Sequence, residues 1–223
     1  MTPTSGVSDL KPRLRGWLHA GAAPLALAAG IVLVCLTPTV PGKLASATFA
    51  LASVMLFATS ATYHLGRWSV RTKAVLRRLD HSNIFLLIAG TYTPLAVLLL
   101  DRRNCIILLS IVWAGAIAGL LARVLWLTAP RWLYVPIYVA LGWVAVAYLP
   151  SFWRTGGPAV VWLVVAGGLA YTLGAVVYGF KKPNPSPTWF GFHEVFHSLT
   201  LAAFACHCTA IMIAATTVTA AAR

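Results

Sequence analysis

The sequence predicts an all-α integral membrane bundle of seven transmembrane helices, its N-terminus cytoplasmic and its C-terminus outside, and three observations carry that prediction. The first is composition. Of 223 residues, 60% are hydrophobic and only 9% charged, with a mean hydropathy of +0.83, far outside the range of a soluble domain. The second is spacing: seven apolar runs, each long enough to cross a hydrocarbon core of about 30 Å, are separated by short links rich in Pro, Gly or charge. The third is the distribution of cations. Seven spans put the two chain ends on opposite faces, and twelve of the seventeen Lys and Arg fall at span ends on the side of the N-terminus. The positive-inside rule makes that side the cytoplasm.

The links define the elements in order. Residues 1–16 are polar and basic and are expected to form a mobile cytoplasmic tail; residues 17–223 form the single membrane domain. The first span runs from about Trp17 to Leu36 and is stopped by the TPTVPG link, whose prolines cannot continue a helix. Lys11, Arg13 and Arg15 before it resemble the charged start of a signal peptide, but no small-residue cleavage site follows, so it is read as a retained helix. The second span, from about Leu44 to Leu65, closes on SATYH, and the basic link GRWSVRTKAVLRR leads to a third from Asp80 to about Leu100. The fourth runs from about Cys105 to Leu127, the fifth from Trp132 to Leu149, the sixth from Ala159 to Phe180, and the seventh begins at HEVFH.

Composition also excludes several classes. The formal charge of +13 is scattered through links rather than along one face, so it signals topology and not nucleic acid. No polar stretch is long enough to bury a core of its own. Cys35, Cys105, Cys206 and Cys208 lie in or beside apolar runs and make no CxxC pair, which leaves neither a disulfide framework nor a cysteine zinc knuckle.

The chemistry concentrates at one depth. His193 and His197, four apart, share a helix face and suit a single metal ion. In the predicted topology His64 ends an inward span, Asp80 begins an outward one, and His193 and His197 begin another, so all four meet near the cytoplasmic face. Three neutral imidazoles with an open fourth position are a catalytic zinc arrangement. Asp80, opening a neighbouring helix at the same depth, could hold the metal water and take its proton; Glu194, at the edge of the histidine face, competes for that role as the Glu of an HExxH motif would. Ser60 lies one turn before His64 and could hydrogen-bond Asp80 or a substrate carbonyl, although a membrane serine also bonds its own backbone or joins two helices. His81 points about 100° away from Asp80 and reads as interfacial or as an outer partner. His207 reads as a satisfied core histidine, His19 as interfacial, and Arg123 as a snorkelling cation. Trp132, Tyr134, Trp143, Tyr148, Trp153 and Trp189 sit where interfacial belts fall.

The stretches SATYH, RRLDHSNIFLLIAGTYTP and GFHEVFHSLTLAAFACH resemble the bacterial hemolysin III family, the prokaryotic branch of the progestin and adipoQ receptor family, and more distantly the adiponectin receptors. The similarity covers all seven spans. It implies a multi-pass protein of the bacterial inner (plasma) membrane with a zinc ion held by His64, His193 and His197, a water held by Asp80, and Ser60 alongside. The family often carries His-Gly near the first span, where this chain has His19 followed by Ala20. Relatives among ceramidases imply hydrolysis of a lipid amide or ester and a part in lipid homeostasis, with a membrane lipid as the substrate partner. The family name implies instead a haemolytic, pore-like activity, and the alternative reading of the site is a channel-like cytolysin or membrane-stress sensor in which zinc is structural. Intramembrane proteolysis ranks below both, because HEVFH lacks a second acidic ligand motif of that class.

Overall fold

Apolar segments in a bilayer must satisfy every backbone polar group internally, which leaves helices as the economical solution for this composition. The computed structural model describes residues 11–126 and 130–221. Among the described residues there are seven α-helices: α1 (Trp17–Leu36), α2 (Val40–Leu65), α3 (Val70–Leu99), α4 (Arg102–Leu125), α5 (Arg131–Gly142), α6 (Leu149–Phe180) and α7 (Phe192–Ala221). A 3₁₀ turn, Trp143–Tyr148, joins α5 to α6. Side chains close the helix starts in the links. Thr39 accepts from the Gly42 N–H at 3.2 Å, Ser69 from Thr72 at 3.2 Å, and Asp101 from Arg103 and Asn104 at 3.0 and 3.1 Å. The hydrogen bonds from Asn104, backbone first, hold the Asp101 carboxyl below the usual carboxylate range.

Two departures from the sequence reading concern boundaries. Helix α3 begins at Val70, ten residues before Asp80, so most of the basic link is helical. Hydropathy marks where apolar surface ends; Lys, Arg, Ala and Leu are good helix formers and carry the helix past that point. The expected fifth and sixth spans form one apolar run, Trp132–Phe180, so that among the described residues six runs are long and apolar enough to cross a membrane. Pro150 does not end a helix. It occupies the first turn of α6, where its missing N–H costs nothing. The break falls instead at Gly157, whose φ of 80° is open to glycine, just before Pro158.

That break reverses the chain. Trp143 Nε1 donates to Thr172 Oγ1 at 2.9 Å, and the hydroxyls of Tyr134 and Tyr178 lie 3.4 Å apart, so α5 and the second part of α6 run antiparallel. The irregular joint of α5 and the 3₁₀ turn frees backbone groups, and Tyr92 of α3 satisfies them. Its hydroxyl donates to the Gly142 carbonyl at 2.6 Å and accepts from the Ala145 N–H at 2.7 Å.

The main neighbours are α1 with α2, α2 with α3, α3 with α4, and α6 with α7, while α7 also meets α1 and α3. Most of the apolar stretch of α3 is buried and little of that of α4 is, which makes α3 central and α4 peripheral. Ile106, Ile111 and Leu121 of α4 are accordingly exposed, as a lipid-facing surface requires. Small residues set the close approaches: a Cβ on Gly90 would stand 2.8 Å from that of Ala52 on α2.

Residues 11–16, expected to belong to a mobile tail, are tied down. The Arg13 N–H donates to Thr188 O at 2.9 Å and Leu14 to Trp189 O at 3.2 Å, and the Arg13 guanidinium lies 4.6 Å from the Trp189 ring centre. The Lys11 ammonium donates to the His64 carbonyl; partial burial, then Arg15 and Lys73, hold its pKa below the ordinary lysine value. Residues 1–10 lie outside the described residues.

Candidate metal centre

Four of the five site residues are placed by helix ends. Ser60 and His64 lie on the last turns of α2, Asp80 one-third of the way along α3, and His193 and His197 on the first two turns of α7. The packing of α3 between α2 and α7 brings these ends together. One ring nitrogen each from His64, His193 and His197 lie within 4.8 Å of one another. The Nε2 atoms of His64 and His193 are 3.2 Å apart. Two nitrogens bound tetrahedrally to one zinc at 2.0–2.1 Å would be separated by roughly 3.3–3.4 Å, so the His64–His193 pair fits such an ion. His64 and His197 are buried and His193 is half-buried, and His197 Nδ1 has no hydrogen-bond partner among the described residues. This buried cluster could hold a metal ion.

Asp80 and Ser60 stand beside it. Asp80 Oδ2 is 4.0 Å from His64 Nε2, with the two side chains 11% and 9% exposed. The Ser60 hydroxyl is buried without a hydrogen-bond partner among the described residues and lines the same cavity as Asp80. Glu194 is committed elsewhere: one carboxylate oxygen pairs with the Arg15 guanidinium, and the other accepts from the Gly191 N–H at 2.8 Å. Its side chain is 1% exposed. The Glu of HExxH is here a cap on α7 and an anchor for the segment before α1.

Three polar residues depart from their sequence readings. His19 is not interfacial: it is 3% exposed and its ring stacks on His197, with centroids 3.8 Å apart and planes 9° apart. Arg123 does not snorkel. It is 3% exposed, Nη2 lies 2.7 Å from His81 Nδ1, and the guanidinium stands 4.2 Å from the Tyr134 ring centre. His207, read as a satisfied core histidine, is half satisfied: Nε2 donates to Val164 O at 3.1 Å, and Nδ1 is buried without a partner among the described residues. A histidine two residues into the first span was the available signal for His19, since an imidazole at membrane depth calls for a partner.

From His193 and His197 a cavity of about 140 Å³ leads along α3, α5, α6 and α7 as far as His207. Ser60, Asp80, His81 and His19 line its polar end, and Leu87, Leu95, Val139 and Val164 its apolar walls. Glu194 does not line it.

A bundle of apolar helices with a buried three-histidine cluster opening on an apolar cavity defines a class: a multi-pass membrane protein with a candidate metal centre. The chain belongs to the haemolysin-III related family, whose model matches residues 8–208. It is 30% identical over 145 residues to the "Hemolysin-3 homolog" of Bacillus subtilis (strain 168), covering 65% of this chain and 68% of the relative. To the "Hemolysin-3" of Bacillus cereus it is 35% identical over 105 residues, 47% of this chain and 48% of the relative.

Proposed function

We propose that this protein is a zinc-dependent hydrolase of a lipid amide or ester, serving membrane lipid homeostasis in a bacterial inner membrane. The observation that carries this reading is the convergence of His64, His193 and His197, of which His193 and His197 line the polar end of an apolar cavity together with Asp80, itself 4.0 Å from His64. A zinc ion held by the three imidazoles would supply Lewis acidity toward an acyl carbonyl and toward water. Asp80 accepts the proton of the attacking water, and the Ser60 hydroxyl donates to the oxygen on which charge develops. The cavity walls take the acyl chain. Glu194 has no part in the chemistry, because both its oxygens are occupied.

The same proposal includes seven crossings with a cytoplasmic N-terminus. The 49-residue run would measure about 70 Å as one helix, more than twice a hydrocarbon core of about 30 Å. Its antiparallel fold-back at Gly157 favours two crossings. The cation asymmetry favours the orientation.

Turnover of ceramides, phospholipids and acyl-CoA by purified protein, with metal content measured before and after a chelator, tests the reading. Metal-dependent release of fatty acid is expected; a metal-loaded protein inert on all three would overturn it. The second reading is a channel-like cytolysin or membrane-stress sensor with a structural ion, and the hemolysin names of the two Bacillus relatives favour its cytolysin form. Dye release from vesicles by metal-loaded protein without lipid turnover would select that one.

A further inference from the structure

His19 is a buried polar residue that the proposed chemistry leaves unused. Its ring lies flat on His197 at 3.8 Å between centroids and meets the edge of Phe57 at 5.1 Å. Both nitrogens are buried and lack hydrogen-bond partners among the described residues, and the side chain lines the cavity beside His193, His197 and Ser60. The backbone fixes this placement: Gly16, at a φ of 91°, turns the chain into α1 so close to α2 that a Cβ there would stand 2.7 Å from that of His64.

Stacking alone does not explain an imidazole. A phenyl ring would give the same contact with no nitrogens to desolvate, and burying an unpaired polar atom costs free energy. The polarity therefore answers to something in the cavity. A neutral imidazole offers one N–H donor and one acceptor, and an acyl carbonyl or carboxylate offers oxygens that only accept. We infer that His19 is a ligand-contacting residue whose N–H donates to the acyl or carboxylate oxygen held at the polar end of the cavity. This rests on the metal-centre reading and adds to it the group that orients the ligand oxygen.

Cobalt(II)-loaded protein titrated with butanoate tests it, because the cobalt absorption spectrum reports the metal and the ligand separately. His19→Phe keeps the stacked ring and removes the donor; it should leave the ligand-free spectrum and cobalt affinity unchanged and weaken butanoate binding about tenfold to hundredfold, as expected for one hydrogen bond to a charged group. His19→Gln restores a donor and should recover part of that loss. Equal butanoate affinity in wild type and His19→Phe overturns the assignment, as does a His19→Phe spectrum already altered without ligand, which would make His19 a positioning residue for His197. Wild-type protein that takes up no cobalt removes the metal-centre reading itself, and this assignment with it, a result distinct from either of those.

Discussion

The three histidines of α7 occupy two different environments on one helix. His193 and His197 face imidazoles: His193 meets His64 from α2 with Nε2 atoms 3.2 Å apart, and His197 is overlaid by His19 from α1. His207, ten residues further along, faces a backbone carbonyl, donates to it, and rests in a recess that exists because position 167 is glycine; a Cβ there would enter the imidazole ring. A carbonyl pairs with one N–H and leaves the ring a piece of structural glue between α6 and α7. Several ring nitrogens converging in a buried space have too few acceptors and donors to satisfy one another, and a cation resolves that deficit where a carbonyl cannot. What the ring faces, and not its depth or its helix, separates the two environments.

The largest effect should come from the cluster. His64→Ala and His193→Ala should each lower metal affinity more than about 100-fold, beyond the 10–100-fold typical of losing an outer partner, while His207→Phe leaves metal content unchanged. Elemental analysis of purified variants decides this, and a His207→Phe protein that loses its metal breaks the comparison. Next in size is Asp80→Asn, which preserves shape but accepts no proton. Metal should stay bound while lipid turnover falls by about 10²–10⁴-fold. If Asp80→Asn loses the ion as fully as His64→Ala, Asp80 is a ligand.

Smaller effects lie outside the chemistry. Arg15→Ala leaves the Glu194 carboxylate buried and unpaired and should destabilise by about 2–3 kcal/mol, below the fully buried range because Arg15 keeps some solvent contact. Glu194→Gln still accepts from Gly191 and should be milder. Thermal denaturation in detergent measures both, and a loss of turnover in Glu194→Gln with metal and fold intact would return this carboxylate to the reaction. The smallest shift belongs to His207→Phe, about 1 kcal/mol for one interhelical hydrogen bond; a larger loss in the same denaturation assay would mean that Nδ1 also has a partner.

Much of this was legible residue by residue. The i, i+4 pair in HEVFH places two imidazoles on one face wherever the helix goes, and runs of twenty apolar residues require helices whatever their neighbours. His64 and Asp80 were drawn into the same group by topology, since adjacent spans end at the same face. Glu194 was not legible: its angle on the helix allows both the cluster and the chain before α1, and only the position of Arg15 decides between them. Arg123 was misread because a cation near a span end ordinarily reaches water, whereas here His81 and Tyr134 give it a partner inside. The fifth span was expected to end at Leu149, before Pro150, but proline breaks a helix only beyond its first turn, and the chain turns at Gly157, inside the link expected between Leu149 and Ala159.

The sequence by itself determined the all-helical architecture, the cation asymmetry and the histidine pair on α7, because these follow from hydrophobicity and from the 3.6-residue period, which act locally along the chain. Tertiary structure alone decided that His19 lies on His197, that Glu194 is held by Arg15, and that Tyr92 closes the irregular joint after α5. Those pairings depend on which face of each helix meets which neighbour at a separation of a few ångströms. In a membrane nearly every face is apolar enough to be the buried one, so the pattern of hydrophobicity carries little information about that choice.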